Sequence, residues 1–191
     1  MVPSETVTVG VTRRFKAETR ERLLARFEAA LAAGDGAGGA ECLHELWMRG
    51  EIGLNVERAL ERLWAAAAAS VPEWLPMRHV EWLPLAYEVA ARCAAQRRGR
   101  ANIYLVLLDY RDGAGDPYGV YVGMTEYPPA ERFDQHKAGI RAAGSVLKRG
   151  LEVLTGPTLH LQRIPHAEAV DFEMRLAEVL RAEGLLVQGG H

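Results

Sequence analysis

Cysteine is scarce: Cys42 and Cys93 are the only two in 191 residues. Two thiols cannot build a disulfide framework, and their spacing matches no zinc site, which needs about four clustered ligands. Both are expected to be reduced, half-buried thiols. Long hydrophobic runs are missing too. The longest, AAAAASV from Ala65 to Val71, is far below the roughly 20 residues of a bilayer span. The opening MVPSETVTVGVTRR alternates apolar with polar residues and carries none of the continuous apolar core of a secretory leader. A cytoplasmic location without a membrane partner is expected. Charge of one sign is not in excess: the net charge is −2 and the pI about 6.3. This excludes a chain whose whole surface is a non-specific nucleic-acid binder.

Hydrophobic residues make up 49% of the chain and charged ones 25%, the balance of a globular protein with an ordinary core. Residues 1–98 read as mostly helical, with a short alternating segment, TVTVGV, that suits a strand. Ala, Leu, Glu and Arg fill a helix from Lys16 to Ala33, which stops at the glycine-rich GDGAGG, expected to be a flexible link. Further helices are expected over Ala40 to Arg49, after Asn55 as N-cap, and from Val80 to Gln96. Trp47, Trp64, Trp74 and Trp82 all lie in this half, where packing is the ordinary use of so large a ring. The charged, glycine-broken QRRGR, Gln96 to Arg100, marks the expected boundary with a second region, residues 99–191.

Beyond that joint the pattern changes. NIYLVLLDY is apolar on both alternating faces, as in a central strand; RDGAGDP has hairpin-loop chemistry; YGVYVGM is the return strand. A helix over Pro129 to Ala142, a third strand TLHLQRI over Thr158 to Ile164 and a helix over His166 to Glu183 follow. Arg132 and His136 stand one turn apart on one shoulder of the apolar side of the first helix. Between Arg132 and Arg149 five cations (Arg132, Lys137, Arg141, Lys148, Arg149) face Asp134 alone, a local charge of +4. Taken alone this segment reads equally well as a solvated helix face. On the last helix Glu173 falls inside the arc formed by Ala169, Phe172, Leu176, Ala177, Val179 and Leu180. A carboxylate there must be paired, for instance with Arg132, or protonated, or bound to a metal.

Taken in order, IY at 103–104, YVG at 121–123, the arginine and histidine of RFDQH, and a helical Glu173 after a third strand resemble the GIY-YIG nuclease superfamily. The resemblance covers residues 99–191 and leaves residues 1–98 to substrate, dimer or partner contact. It implies an α+β fold, a helical amino-terminal region followed by a three-stranded antiparallel sheet flanked by helices. It also implies phosphodiester hydrolysis with one Mg²⁺ or Mn²⁺ held by Glu173. Arg132 would then hold the scissile phosphate, and Tyr104 would be the leading candidate for activating water, helped by His136. Tyr121 would hydrogen-bond in the same site, and Gly123 would allow close backbone approach. Lys137, Arg141, Lys148 and Arg149 would contact nucleic acid, DNA in preference to RNA, and Gln188 would stand in for an asparagine many members carry. Asn102 replaces the first glycine of the family's name, and the 16 residues between Tyr104 and Tyr121 make a long loop. The alternative is a catalytically inactive nuclease fold that binds nucleic acid or protein.

Overall fold

A computed structural model describes residues 13–51, 56–70 and 80–190. The TVTVGV segment, the Asn55 cap and Trp74 lie outside these residues. The chain is α+β, with eight α-helices and a four-stranded mixed sheet among the described residues.

Helix α1 (Arg20–Ala33) starts where the Thr19 hydroxyl accepts the Arg22 amide at 3.3 Å, and ends at Gly34 in the left-handed region, φ 66°. The expected flexible link does not form. Asp35 accepts the Gly38 amide at 2.9 Å, and the glycines become the first turn of α2 (Gly36–Met48). The cap offsets the entropic cost of glycine in a helix. Gly39 also lets α3 (Val56–Ala67) approach, since a Cβ there would lie 2.6 Å from Cδ1 of Leu63. Helix α4 is shorter than expected, Leu83–Ala91, and no side chain caps its start.

Strands β1 (Asn102–Asp109) and β2 (Tyr118–Thr125) form the expected hairpin, with Tyr104 opposite Gly123 and Val106 opposite Tyr121. Helix α5 (Pro129–Lys137) is followed by a separate α6 (Gly144–Arg149). The third strand is not TLHLQRI. It is the four-residue β3 (Gly150–Val153), antiparallel to β1. Thr158 to Leu161 instead lie in α7 (Thr155–Thr158) and a 3₁₀ turn. Thr158, Leu161 and Ile164 are all fully buried, a spacing of three that suits a tight helix rather than alternation. Helix α8 (His166–Ala182) leads to an unexpected fourth strand, β4 (Val187–Gly189), parallel to β2. The order β3-β1-β2-β4 is therefore mixed, not purely antiparallel.

Alternate residues of β1 face two clusters. Ile103, Leu105 and Leu107 join a core with α1, α2, α4 and α8, including Trp47 and the buried thiols Cys42 and Cys93. Trp64 and Trp82 pack at its edge. Tyr104, Val106 and Leu108 face a smaller cluster with Met48, Phe133, Val146 and Val153. No helix among the described residues is long and apolar enough to cross a membrane.

Candidate active site

The β1–β2 register decides what meets what. Tyr104 and Tyr121 are diagonal neighbours on one face, their ring centroids 5.9 Å apart. Gly123, opposite Tyr104, leaves the space they need: a Cβ there would lie 2.6 Å from Cε1 of Tyr121 and 2.9 Å from the Tyr104 hydroxyl. The apolar residue Phe133 docks α5 against this face. One turn on, His136 completes a triangle of rings, 6.3 Å from Tyr104 and 6.0 Å from Tyr121.

Hydrogen bonding fixes the polarity of this group. The Ala143 amide donates to Nδ1 of His136 at 2.9 Å. A backbone N–H can only donate, so Nδ1 carries the lone pair and the neutral ring holds its hydrogen on Nε2. Nε2 is 2.9 Å from the Tyr104 hydroxyl, which therefore accepts. The Tyr104 hydroxyl hydrogen is thereby left for Tyr121, whose phenol bears on that of Tyr104. The chain runs Ala143 to His136 to Tyr104 to Tyr121. Burial, reinforced by Arg132, pushes the imidazole down to about 4, so it stays neutral at ordinary pH.

Burial, then Tyr121, pushes the Tyr104 phenol far above the usual tyrosine range, with Arg132 opposing. Tyr104 is also 1% exposed. The raised pKa keeps this phenol protonated at ordinary pH and its burial keeps water from it, both of which work against the water-activating role expected of Tyr104. Tyr121, raised by burial and by Glu173 but relieved by the Tyr104 bond and by Arg132, is half-buried at the open end of the chain.

Arg132 reaches back to a loop. Its Nη1 donates to Oε1 of Gln135 at 3.0 Å and to the Ile140 carbonyl at 3.3 Å, and its Nη2 to the Arg141 carbonyl at 2.8 Å. Arg141 takes a left-handed φ of 43°, which lets consecutive carbonyls serve one guanidinium. The loop from 138 to 143 thus holds both Arg132 and His136. Sequence reasoning missed it because its working groups are backbone atoms.

Glu173 is buried, 8% exposed, on the core-facing stripe of α8, and its charge bears on Tyr121. Beside it, Gly189 and Gly190 hold φ of 81° and 77°. A Cβ on Gly189 would strike the Val122 carbonyl and one on Gly190 would strike Ala177. Gln188, exposed on β4, is in register with Tyr121.

The other expected contacts divide. Lys137 donates to the carbonyls of Leu147 and Gly150 at 3.1 and 3.2 Å, and burial holds its ammonium below the usual lysine range. Arg149 pairs with Asp112 at 2.7 Å and stacks on Tyr110 at the far end of the hairpin. Both are engaged by neighbouring groups of the chain, Lys137 while still exposed and Arg149 while half-buried. Arg141 and Lys148 are exposed.

No group of three potential metal-ligating His, Cys, Asp or Glu side chains exists among the described residues. Glu173 beside Tyr121 still suits a Mg²⁺-like ion, which keeps several waters and takes one or two carboxylates plus substrate phosphates. The chain matches no protein-family model, no curated protein and no solved structure.

Proposed function

We propose that the protein is a metal-dependent endonuclease of the GIY-YIG type, hydrolysing nucleic-acid phosphodiesters, DNA in preference to RNA. The observation that carries this reading is the polarised chain from Ala143 through His136 and Tyr104 to Tyr121, with Arg132 and Glu173 acting electrostatically on its end. Such a set of fixed donors beside one guanidinium and one carboxylate is of little use to a purely structural core. It suits charge that develops on a phosphate.

In this mechanism Tyr121 orients the attacking water, and Tyr104 holds Tyr121 in place. His136, locked as the Nε2–H tautomer, keeps Tyr104 turned toward Tyr121. Arg132 offers the guanidinium donors outside its two loop bonds and its Gln135 bond to the phosphate and offsets charge in the transition state. Glu173 would hold Mg²⁺ or Mn²⁺, which when bound would polarise the phosphoryl group and favour loss of a proton from water. The three loop and side-chain bonds of Arg132 favour a second reading, a fold that binds nucleic acid without cutting it.

The deciding experiment incubates the purified chain with plasmid DNA, single-stranded DNA and structured RNA, in Mg²⁺, Mn²⁺ or EDTA, beside Glu173→Ala, Tyr121→Phe and Tyr104→Phe. Cleavage should need the metal and Glu173, and should fall further with Tyr121→Phe than with Tyr104→Phe. Cleavage that survives EDTA and Glu173→Ala would sink the mechanism. Binding without cleavage would move the assignment to the second reading.

A further inference from the structure

In the basic segment expected to meet nucleic acid, 132–149, Lys137 is engaged by two carbonyls and Arg149 by a carboxylate, which raises the question of where else the chain presents positive charge. The joint QRRGR supplies three arginines, and the structure adds a fourth. Gly99 donates to the Arg163 carbonyl at 2.7 Å, and Ala101 and Ile164 exchange hydrogen bonds of 3.1 and 2.8 Å. The Arg163 amide is capped by Oδ1 of Asn102 at 2.9 Å. Gly99 cannot be replaced here, since a Cβ would strike the Ile164 carbonyl. Two arginine-bearing segments are thereby held side by side through one antiparallel bridge, Ala101 to Ile164, with Arg163 at a left-handed φ of 59°.

Arg97, Arg98, Arg100 and Arg163 are all exposed. Among the described residues only Arg100 has an ion-pair partner, Glu126, at a loose 3.4 Å with both side chains largely in solvent. A surface pair of that kind is worth little and exchanges readily. Four arginines against one carboxylate leave a charge of +3 on this edge. The opposite end of the hairpin differs: Asp109, Asp112 and Asp116 gather there, and Arg111 and Arg149 are bound to the first two.

Position along β1 connects the patch to the tyrosines. Asn102 and Tyr104 are two residues apart on β1 and share one face, and Arg100 lies two residues before Asn102 in the bend that enters the strand. Asn102 also donates to the Tyr127 carbonyl at 2.9 Å, in the turn that leads into α5 and Arg132. Four residues of chain keep Arg100 within about 13 Å of Tyr104. That is about four nucleotides of duplex at roughly 3.4 Å per phosphate along one strand.

We infer that Arg97, Arg98, Arg100 and Arg163 form a phosphate-backbone clamp that grips the nucleic acid several nucleotides from the bond to be cut. The inference rests on the nuclease reading and assigns it a second anchoring surface. Planar guanidinium groups on a rigid paired backbone suit phosphate oxygens, and the contacts carry no base information.

The test measures fluorescence anisotropy of a labelled 20-base-pair DNA duplex in Ca²⁺ or EDTA, over a range of salt. The intact chain is compared with a triple variant, Arg97→Ala, Arg98→Ala, Arg163→Ala, and with the same three positions changed to Lys. Thermal unfolding of each controls for a structural role. The alanine variant should bind at least about tenfold more weakly at 0.1 M salt, and its salt slope should fall by about 2.7, roughly 0.9 for each of three phosphates lost. The lysine variant should restore most of the binding. Unchanged affinity and slope in the alanine variant, with the intact chain binding normally, would overturn the clamp and leave the nuclease reading standing. An intact chain that neither binds nor cuts DNA or RNA would overturn both.

Discussion

Acid should loosen the group of Tyr104, Tyr121 and His136 before it unfolds anything else, because of His136. Its imidazole has an unfolded value of 6.5 and is pushed down to about 4 by burial and by Arg132. A depressed basic pKa means that the unfolded chain binds the proton first. Above 6.5 neither state is charged and nothing is lost; as pH falls through the window from 6.5 to 4 the native state loses stability, and below 4 the loss levels off. One unit corresponds to about 1.4 kcal/mol, so linkage gives about 2 kcal/mol lost at pH 5 and about 3 kcal/mol at pH 4. The structural consequence is local as well. An imidazolium has no lone pair on Nδ1, so the Ala143 amide loses its acceptor and the loop at 138–143 loses one of the two side chains that hold it. Urea unfolding at pH 7.5, 6, 5 and 4.5 measures the effect, with His136→Gln as reference. Every other group is common to the two proteins and cancels in the difference. If the stabilities of the two proteins run parallel from pH 7 to 4.5, the assigned tautomer and the buried state of His136 are wrong.

Other substitutions test the packing around the site. Gly123→Ala should cost about 1–3 kcal/mol, since its methyl meets two rings that can only move by breaking the tyrosine pair; thermal denaturation reads the loss, and a neutral result would refute the close approach. Asn102→Gly, which converts the chain to the residue of the family's name, should destabilise by about 2–3 kcal/mol. It removes the side-chain bonds to the Tyr127 carbonyl and the Arg163 amide and leaves partly buried backbone groups unpaired. Chemical denaturation should also show that Asn102→Asp is tolerated less well than Asn102→Gln, because the carboxylate cannot donate.

The hairpin and the amphipathic helices were legible because their signals are local: alternation limited by turn residues, and periodic apolar stripes. Glu173 was legible for the opposite reason, a residue on the wrong face of such a stripe. Strands β3 and β4 were not legible. GLEV is buried on both faces, so it has no alternation to read, and a three-residue strand is fixed by its neighbour rather than by its own sequence. TLHLQRI misled because Leu159 and Leu161 alternate as in a strand, whereas the fully buried residues are Thr158, Leu161 and Ile164, three apart. GDGAGG misled because one aspartate at a cap outweighs the glycines that follow. Cations present a further difficulty: Lys137 and Arg141 are indistinguishable in sequence, yet one is held by two carbonyls and the other is open to solvent.

The amino-terminal helices carried no readable motif, but their buried charges say what they hold. Glu45, 1% exposed on α2, is kept ionised against its burial by Arg13 and Arg49, 2.8 and 2.6 Å away. Arg13 continues to Asp134 at 2.7 Å and to the Ala130 carbonyl at 3.2 Å, both on α5. His44, also on α2, lies 2.9 Å from the fully buried Glu152 on β3. A buried pair whose partner is removed leaves an uncompensated charge, at a cost of about 3–5 kcal/mol. The same helices cover Ile103, Leu105 and Leu107 in the larger core, and each such side chain contributes about 1.5–3 kcal/mol by burial. Residues 99–191 expressed alone should therefore fail to fold, giving no dispersed amide spectrum and no cooperative melting transition. A well-dispersed, cooperatively melting fragment would show instead that the sheet needs neither His44 nor the helical cover. Joined to them, α5 is positioned from both ends: by Arg13 beside its first turn and by the loop that binds Arg132 and His136.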